Sequence, residues 1–271
     1  MRFRQIAPRP RLREAVRAIW TLSGAEPAAG GDAPQPVPPD GCVEIVLSFA
    51  DRAERVEPGR APERQPRSLL VGELFRPVCV RLSGRVDLVG VRFAPGHGAA
   101  FLEVGGLGEI IDRTAALDEV CRPELRAALA AVFGIEPGAE RIQRLEDGLE
   151  ACLDAAAPRG ADVAAALAVL ERGGGRLGVE SLAGRIGLSS RQLERRFVAA
   201  AGATPKPFAQ VFRFQHALRR IAARAASFAD VAAACGYFDQ AHLIRDFRRY
   251  TSLSPRAYLG AAHPLADHLS A

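Results

Sequence analysis

No apolar run in the sequence approaches the ~18 residues that a membrane span needs, which argues against a membrane protein. The stretch Met1 to Pro8 lacks the apolar core of a secretory signal, so a cytoplasmic location is expected. Cysteine is sparse: five residues (Cys42, Cys79, Cys121, Cys152, Cys235), none in a C-x-x-C pair. An odd, dispersed set points to buried reduced thiols rather than a disulfide frame or a zinc site. Neither G-x-S-x-G nor H-E-x-x-H occurs. Gly105, Gly106 and Gly108 lack the spacing and the following Lys-Ser/Thr of a phosphate loop, and a turn is expected there. His97 has no second metal ligand nearby in sequence. Neither an enzyme nor a cofactor is expected.

What the chain does carry is an ordinary globular balance, 48% hydrophobic and 25% charged over 271 residues. That excludes wholesale disorder and leaves room for one large domain or two ordinary ones. The net charge is +5, and Lys206 is the one lysine among the arginines. Between Arg176 and Arg256 stand 14 basic and 5 acidic residues, so the rest of the chain is mildly acidic. A basic C-terminal third suits a polyanionic partner, although a chain rich in arginine throughout would show part of the same excess.

The first half reads as mixed. Leu12, Val16 and Ile19 lie at helical spacing within Arg11–Leu22 (RLREAVRAIWTL), which predicts a helix. Ala25–Asp40, rich in Ala, Gly and Pro, predicts a loop. Cys42–Phe49, Ser68–Val71, Val78–Leu82 and Val86–Phe93 predict strands, with charged Asp51–Arg67 as an exposed excursion. Pro95 stands where a helix can begin. Leu117–Phe133 and Ala139–Leu153 predict amphipathic helices, with more apolar stripe than a small sheet can cover, and hence a dimer surface. Asp40, Glu44, Glu73 and Arg92 lie beside apolar strands. They line a pocket or face water, and the open face of an antiparallel sheet favours water. The predicted class is α+β: a small sheet plus helices in residues 1–155, a boundary at Ala155–Ala161, then an all-α region, residues 161–262.

That second region repeats itself at about 50 residues. Leu193, Arg195 and Phe197 recur as Leu243, Arg245 and Phe247, and Pro205 and Phe208 as Pro255 and Tyr258. Upstream the offset is 49, pairing Leu182, Ala183 and Gly187 with Val231, Ala232 and Gly236. Each copy reads as a short helix (Val179–Ile186, then Phe228–Cys235), a glycine for a left-handed turn, and a second helix capped by Ser189 or Asp239. Gln192 completes a capping box with Ser189. Leu193 and Phe197 lie one turn apart on a buried face, as do Leu243 and Phe247. The opposite face carries Arg191, Arg195 and Val198 in one copy, and Ala241, Arg245 and Arg248 in the other. Such a unit is a helix-turn-helix. Between the copies, Phe208–Ala223 predicts one helix of roughly 24 Å, with Arg213, Arg220 and Arg224 on its outer face. This strut would hold two recognition helices about one DNA turn (~34 Å) apart, in successive major grooves. Gly173-Gly174-Gly175 predicts a hinge ahead of the first unit. A plain helical bundle with a duplicated hairpin would account for the buried residues, but not for paired caps, matched arginines and a stiff connector together.

At VESLAGRIGLSSRQLERRFVAAAGATPKPF and FADVAAACGYFDQAHLIRDFRRYTSLSPRAY the chain resembles the AraC/XylS family of bacterial transcription regulators, over about Ala161–Leu259. The resemblance implies a regulator, activator or repressor, that binds double-stranded DNA, with RNA polymerase as a candidate further partner; the existence of a small-molecule effector is left open, and a second copy follows from the helical stripes above. Ser252 departs from the pattern, standing where copy one has Gly202, and puts the local turn in question. AIWTL, PPDGCVEIVLSF and VDLVGVRFAPG are similar to a poorly characterised domain often joined to this module, which by analogy senses or oligomerises.

Family position and helical face together nominate the DNA contacts. Arg191 and Arg195 suit guanine O6 and N7, Glu194 suits cytosine N4, and Ser190 lies where a phosphate contact can form. In the second copy Gln240, Ala241, His242 and Arg245 face bases or backbone, while Asp239 is left to capping. Two other classes share part of this pattern: a basic module docking an acidic protein, and an alkyl-accepting DNA-repair domain fused to the same reader. The latter needs a P-C-H-R cysteine, which the sequence lacks.

Overall fold

Strands dominate the described part of residues 2–116, and the chain lays them down as two antiparallel sheets. The computed structural model describes residues 1–24, 34–103, 107–155, 160–223 and 226–260. Among the described residues ten strands run in order: β1 (Arg2–Ile6), β2 (Val16–Gly24), β3 (Gln35–Val37), β4 (Glu44–Ser48), β5 (Glu54–Val56), β6 (Glu63–Arg64), β7 (Ser68–Val71), β8 (Val78–Arg81), β9 (Val86–Phe93) and β10 (Thr114–Ala116). The larger sheet is ordered β1-β2-β9-β4-β7-β10 and the smaller β3-β8-β5-β6. Helices α1 (Leu117–Val120), α2 (Pro123–Val132) and α3 (Ala139–Ala155) follow.

The larger sheet is buried on both faces. On one, Ile45, Leu70, Val91 and Phe93 pack against Leu125 and Leu129 of α2 and Leu145 and Leu149 of α3. On the other, Trp20, Leu22 and Leu88 meet Val80 and Leu82 beneath the smaller sheet. Arg141 ties α3 to the sheet, bonding Asp87 at 3.0 Å and lying over the Phe49 ring at 3.6 Å. The apolar stripes of α2 and α3 are thus consumed within the chain, and they are not the surplus expected of a dimer surface.

The α+β class holds, and four local readings change. Arg11–Leu22 is not a helix: a single 3-10 turn at Pro10–Leu12 leads into β2. Because Ile19 faces one core and Trp20 and Leu22 the other, β2 shows no polar alternation, and its apolar spacing imitates a helical period. Asp51–Arg67 contributes β5 and β6 to the smaller sheet rather than a bare excursion. Leu117–Phe133 is two helices, because Cys121 is extended and bridges to Leu102 before Pro123 opens α2. The predicted loop is interrupted by β3, and its residues 25–33 lie outside the described set, as do Gly105, Gly106 and most of the 155–161 boundary. After Pro95 the chain makes a 3-10 turn at Gly98–Phe101.

The second half is helical: α4 (Ala161–Arg172), α5 (Val179–Ile186), α6 (Ser190–Ala201), α7 (Pro205–Ala222), α8 (Phe228–Ala234), α9 (Gln240–Thr251) and α10 (Pro255–Leu259). The triple glycine does not behave as an open hinge. A side chain on Gly175 would meet the Ala209 carbonyl at 1.9 Å, so the turn is pressed against α7.

The two halves touch along several lines. Arg17 pairs with Glu171 of α4 at 2.6 Å. The buried Gln215 amide of α7 donates to the Pro39 carbonyl at 2.7 Å. The Phe75 ring meets Phe208 edge-on at 5.0 Å. Gly41 and Gly202 have positive φ (75° and 73°) where side chains would strike Phe212 and the Gly108 backbone, so both positions require glycine twice over.

Candidate nucleic-acid interface

Helix α6 begins with the expected capping box. Ser189 accepts from the Gln192 backbone N–H at 3.3 Å, and the Gln192 side chain accepts from the Ser189 backbone N–H at 2.9 Å. Leu193 and Phe197 are fully buried, each contributing about 1.5–3 kcal/mol in area terms, and they fix which face looks outward. Arg191, Glu194 and Arg195 are exposed, while Ser190 is half-buried at the helix start. Val198, beside them, is 51% exposed. Arg196 bonds Asp162 of α4 at 2.5 Å and so anchors the unit rather than reaching out.

The second unit has the same plan. Asp239 caps α9, accepting from the His242 backbone N–H at 2.6 Å, as its assignment to capping required. Leu243 and Phe247 are buried, and Gln240, Ala241, Arg245 and Arg248 are exposed. His242 is more retracted: its ring stands edge-on to Tyr237 at 5.1 Å, with Nε2 4.0 Å from Asp246. Ser252 takes the left-handed conformation at φ 60°, as Gly202 does in copy one, so the turn survives without glycine.

Helix α7 serves both units. Phe208 and Phe212 pack into the first, while Val211, Phe214, Leu218 and Ile221 pack into the second. Its 18 residues span roughly 27 Å. Arg220 is exposed as expected, but Arg213 is not on an outer face. It lies over the Tyr237 ring at 4.7 Å and pairs with Asp246 at 3.5 Å, bracing α7 against α9. Arg224 lies outside the described residues.

Sequence reasoning missed two features here. Ser227 and Asp230 form a second capping box, opening α8, which the S-x-x-D spacing could have signalled. Phe238, in the turn before α9, is 93% exposed. An aromatic between a turn glycine and a cap residue is the signal that was there to read.

Away from the helices, the polar residues beside the strands do not face water. Glu73 and Arg92 are 1% and 5% exposed. Asp40 and Glu44 flank Arg92 at 3.1 and 3.7 Å and border a cavity between the sheets. Burial raises Glu44 to about 7 and Glu73 to about 8. Desolvation also pushes the buried Cys42 thiol well above its ordinary value. Among the described residues, no cluster of three or more His, Cys, Asp or Glu converges as a metal site would, and no helix is long and apolar enough to cross a membrane.

Two capped helices with exposed arginine edges, mounted on a shared helix, define a protein with a double helix-turn-helix. Residues 182–261 match a helix-turn-helix domain family of the AraC type, and residues 4–115 match a domain of unknown function, DUF6597. No curated protein gives a significant match. An apo ToxT variant from Vibrio cholerae strain SCE256 is similar over 89% of this chain and 97% of its own, with TM-score 0.51 and 10% identity, a likeness of fold. An AraC-type regulator from Chromobacterium violaceum is similar over 36% of this chain and 89% of its own, at TM-score 0.35 and 24% identity. A probable AraC family regulator from Rhodopseudomonas palustris CGA009 is similar over 36% of this chain and 94% of its own, at TM-score 0.33 and 27% identity. The chain is a DNA-binding transcription regulator with a helix-turn-helix domain that resembles the AraC type, and the match over residues 182–261 points to a regulator rather than an enzyme.

Proposed function

We propose that α6 and α9 enter successive major grooves of one duplex, with α7 as the strut between them. The observation that carries this reading is the shared mounting. Both units bury their inner faces on α7 and leave arginine-bearing edges in solvent. Arg191 and Arg195 would donate bidentate pairs to guanine, Glu194 would accept from cytosine N4, and Ser190 would reach a phosphate. Gln240, Ala241 and Arg245 form the second edge. His242 contributes only if its ring swings out from Tyr237. Residues 1–155 act as the sensing half and 161–262 as the reader, working in the cytoplasm, with a small-molecule effector shifting the population of DNA-competent arrangements. RNA polymerase and a second copy are further partners on this reading.

The test is a gel shift against random genomic fragments. Selective retention of a few fragments is expected; uniform retention, or none, would overturn it.

A further inference from the structure

The cavity between the two sheets has two unlike ends. Its walls are apolar, with Val46, Leu69, Val80 and Leu88 among the lining residues, and one end carries Asp40 and Glu44. Its volume is about 80 Å³. An apolar void of ~150 Å³ admits benzene, so this one suits a short linear chain better than a ring. Water would find its charged partners at the acidic end, with Ser48, Gln65 and Thr114 the other polar side chains of the lining.

Asp40 and Glu44 both line the acidic end, with Arg92 3.1 Å from the first and 3.7 Å from the second. Arg17, also near Asp40, is committed to Glu171 at 2.6 Å. Burial is the main cause that raises Glu44, and the Asp40 charge adds to it. A carboxylate ligand would face two carboxyls at the cavity wall. An ammonium can displace the proton that burial keeps on Glu44 and pair with both carboxyls, and a metal is disfavoured because no three donors converge among the described residues.

We propose that this cavity binds a small apolar amine, its ammonium held by Glu44 and Asp40 and its alkyl chain against Val46, Leu69 and Leu88. Trp20, the one tryptophan of the chain, lines the cavity and donates its indole N–H to Glu44 at 2.7 Å, so the site carries its own reporter.

The experiment titrates the full chain, without DNA, with n-butylammonium, n-butanol and butyrate at matched ionic strength, following Trp20 fluorescence and calorimetry. The ammonium should saturate at a concentration at least tenfold below that of the alcohol, and butyrate should give no saturable signal. Glu44→Gln, which keeps an acceptor for Trp20, should weaken the ammonium at least tenfold, and Asp40→Asn is the second variant should the first fold poorly. Equal binding of amine and alcohol, preference for butyrate, or no saturable response to any of the three would overturn the proposal. The assignment deepens the reading of residues 1–155 as a sensing half and rests on it. A separate gel shift with and without amine tests that reading: binding without any change in fragment retention would sink the sensing role and leave the site standing.

Discussion

Glu73 offers the sharpest test of the electrostatics in the first half. It is 1% exposed, its Oε2 has no hydrogen-bond partner among the described residues, and burial raises it from 4.5 to about 8. Above about pH 4.5 the unfolded chain carries this carboxylate ionised, while the folded chain keeps it protonated up to about pH 8. Its contribution is therefore fully present below the unfolded value and is lost as pH rises through the folded one. Within that window each pH unit favours unfolding by ~1.4 kcal/mol, so between pH 6 and pH 9 this single group should remove ~3 kcal/mol. Glu73→Gln is close in shape and does not titrate. Urea unfolding followed by Trp20 fluorescence at pH 6 and pH 9 should show the variant gaining ~3 kcal/mol on the parent across the interval. Glu44, raised to about 7, titrates in both proteins and cancels in the difference. A gap between the two proteins that stays constant with pH would refute the reasoning, since it would mean that Glu73 is ionised in the folded chain already at pH 6.

Other outcomes are expected along the same lines. Arg195→Ala should weaken binding to a selected fragment by ~1–3 kcal/mol at matched salt with an unchanged far-UV spectrum, because the side chain is exposed on a capped helix. Affinity for that fragment should fall steeply as salt rises, through release of counterions from contacted phosphates; a flat titration would count against DNA as the partner. Ser252→Gly should raise thermal stability by ~1 kcal/mol, since serine holds a left-handed backbone there. Gly90→Ala should displace the Trp20 indole, which lies 1.9 Å from where the new carbon would stand, and a shifted emission maximum would report it.

The reader domain was legible because its signals are local. Ser189 with Gln192, Asp239 as a cap, and Leu and Phe one turn apart are decided within a few residues, and the repeat showed each twice. The first half was harder. β2 hid behind a helical spacing because both of its faces are buried, and no window of twelve residues records what lies above and below a strand. Arg213 was placed outward by periodicity alone, yet Asp246 and Tyr237, brought close only by folding, draw it in. Asp40, Glu44, Glu73 and Arg92 read as facing water, yet Glu73 and Arg92 are buried and Asp40 and Glu44 line the cavity under the second sheet, whose short strands β5 and β6 are too charged to announce themselves.

The backbone contact between Gly108 and Gly202 makes the two arms of the reader mechanically unequal. Helix α6 is clamped at its far end by the β-rich half, whereas α9 rests chiefly on α7, α8 and α10. The first arm is thus bolted to the chassis and the second is cantilevered. On the proposed reading, differences in spacing between half-sites would be absorbed by the free arm, and anything that loosens the bolt would be felt first at the edge that carries Arg191 and Arg195.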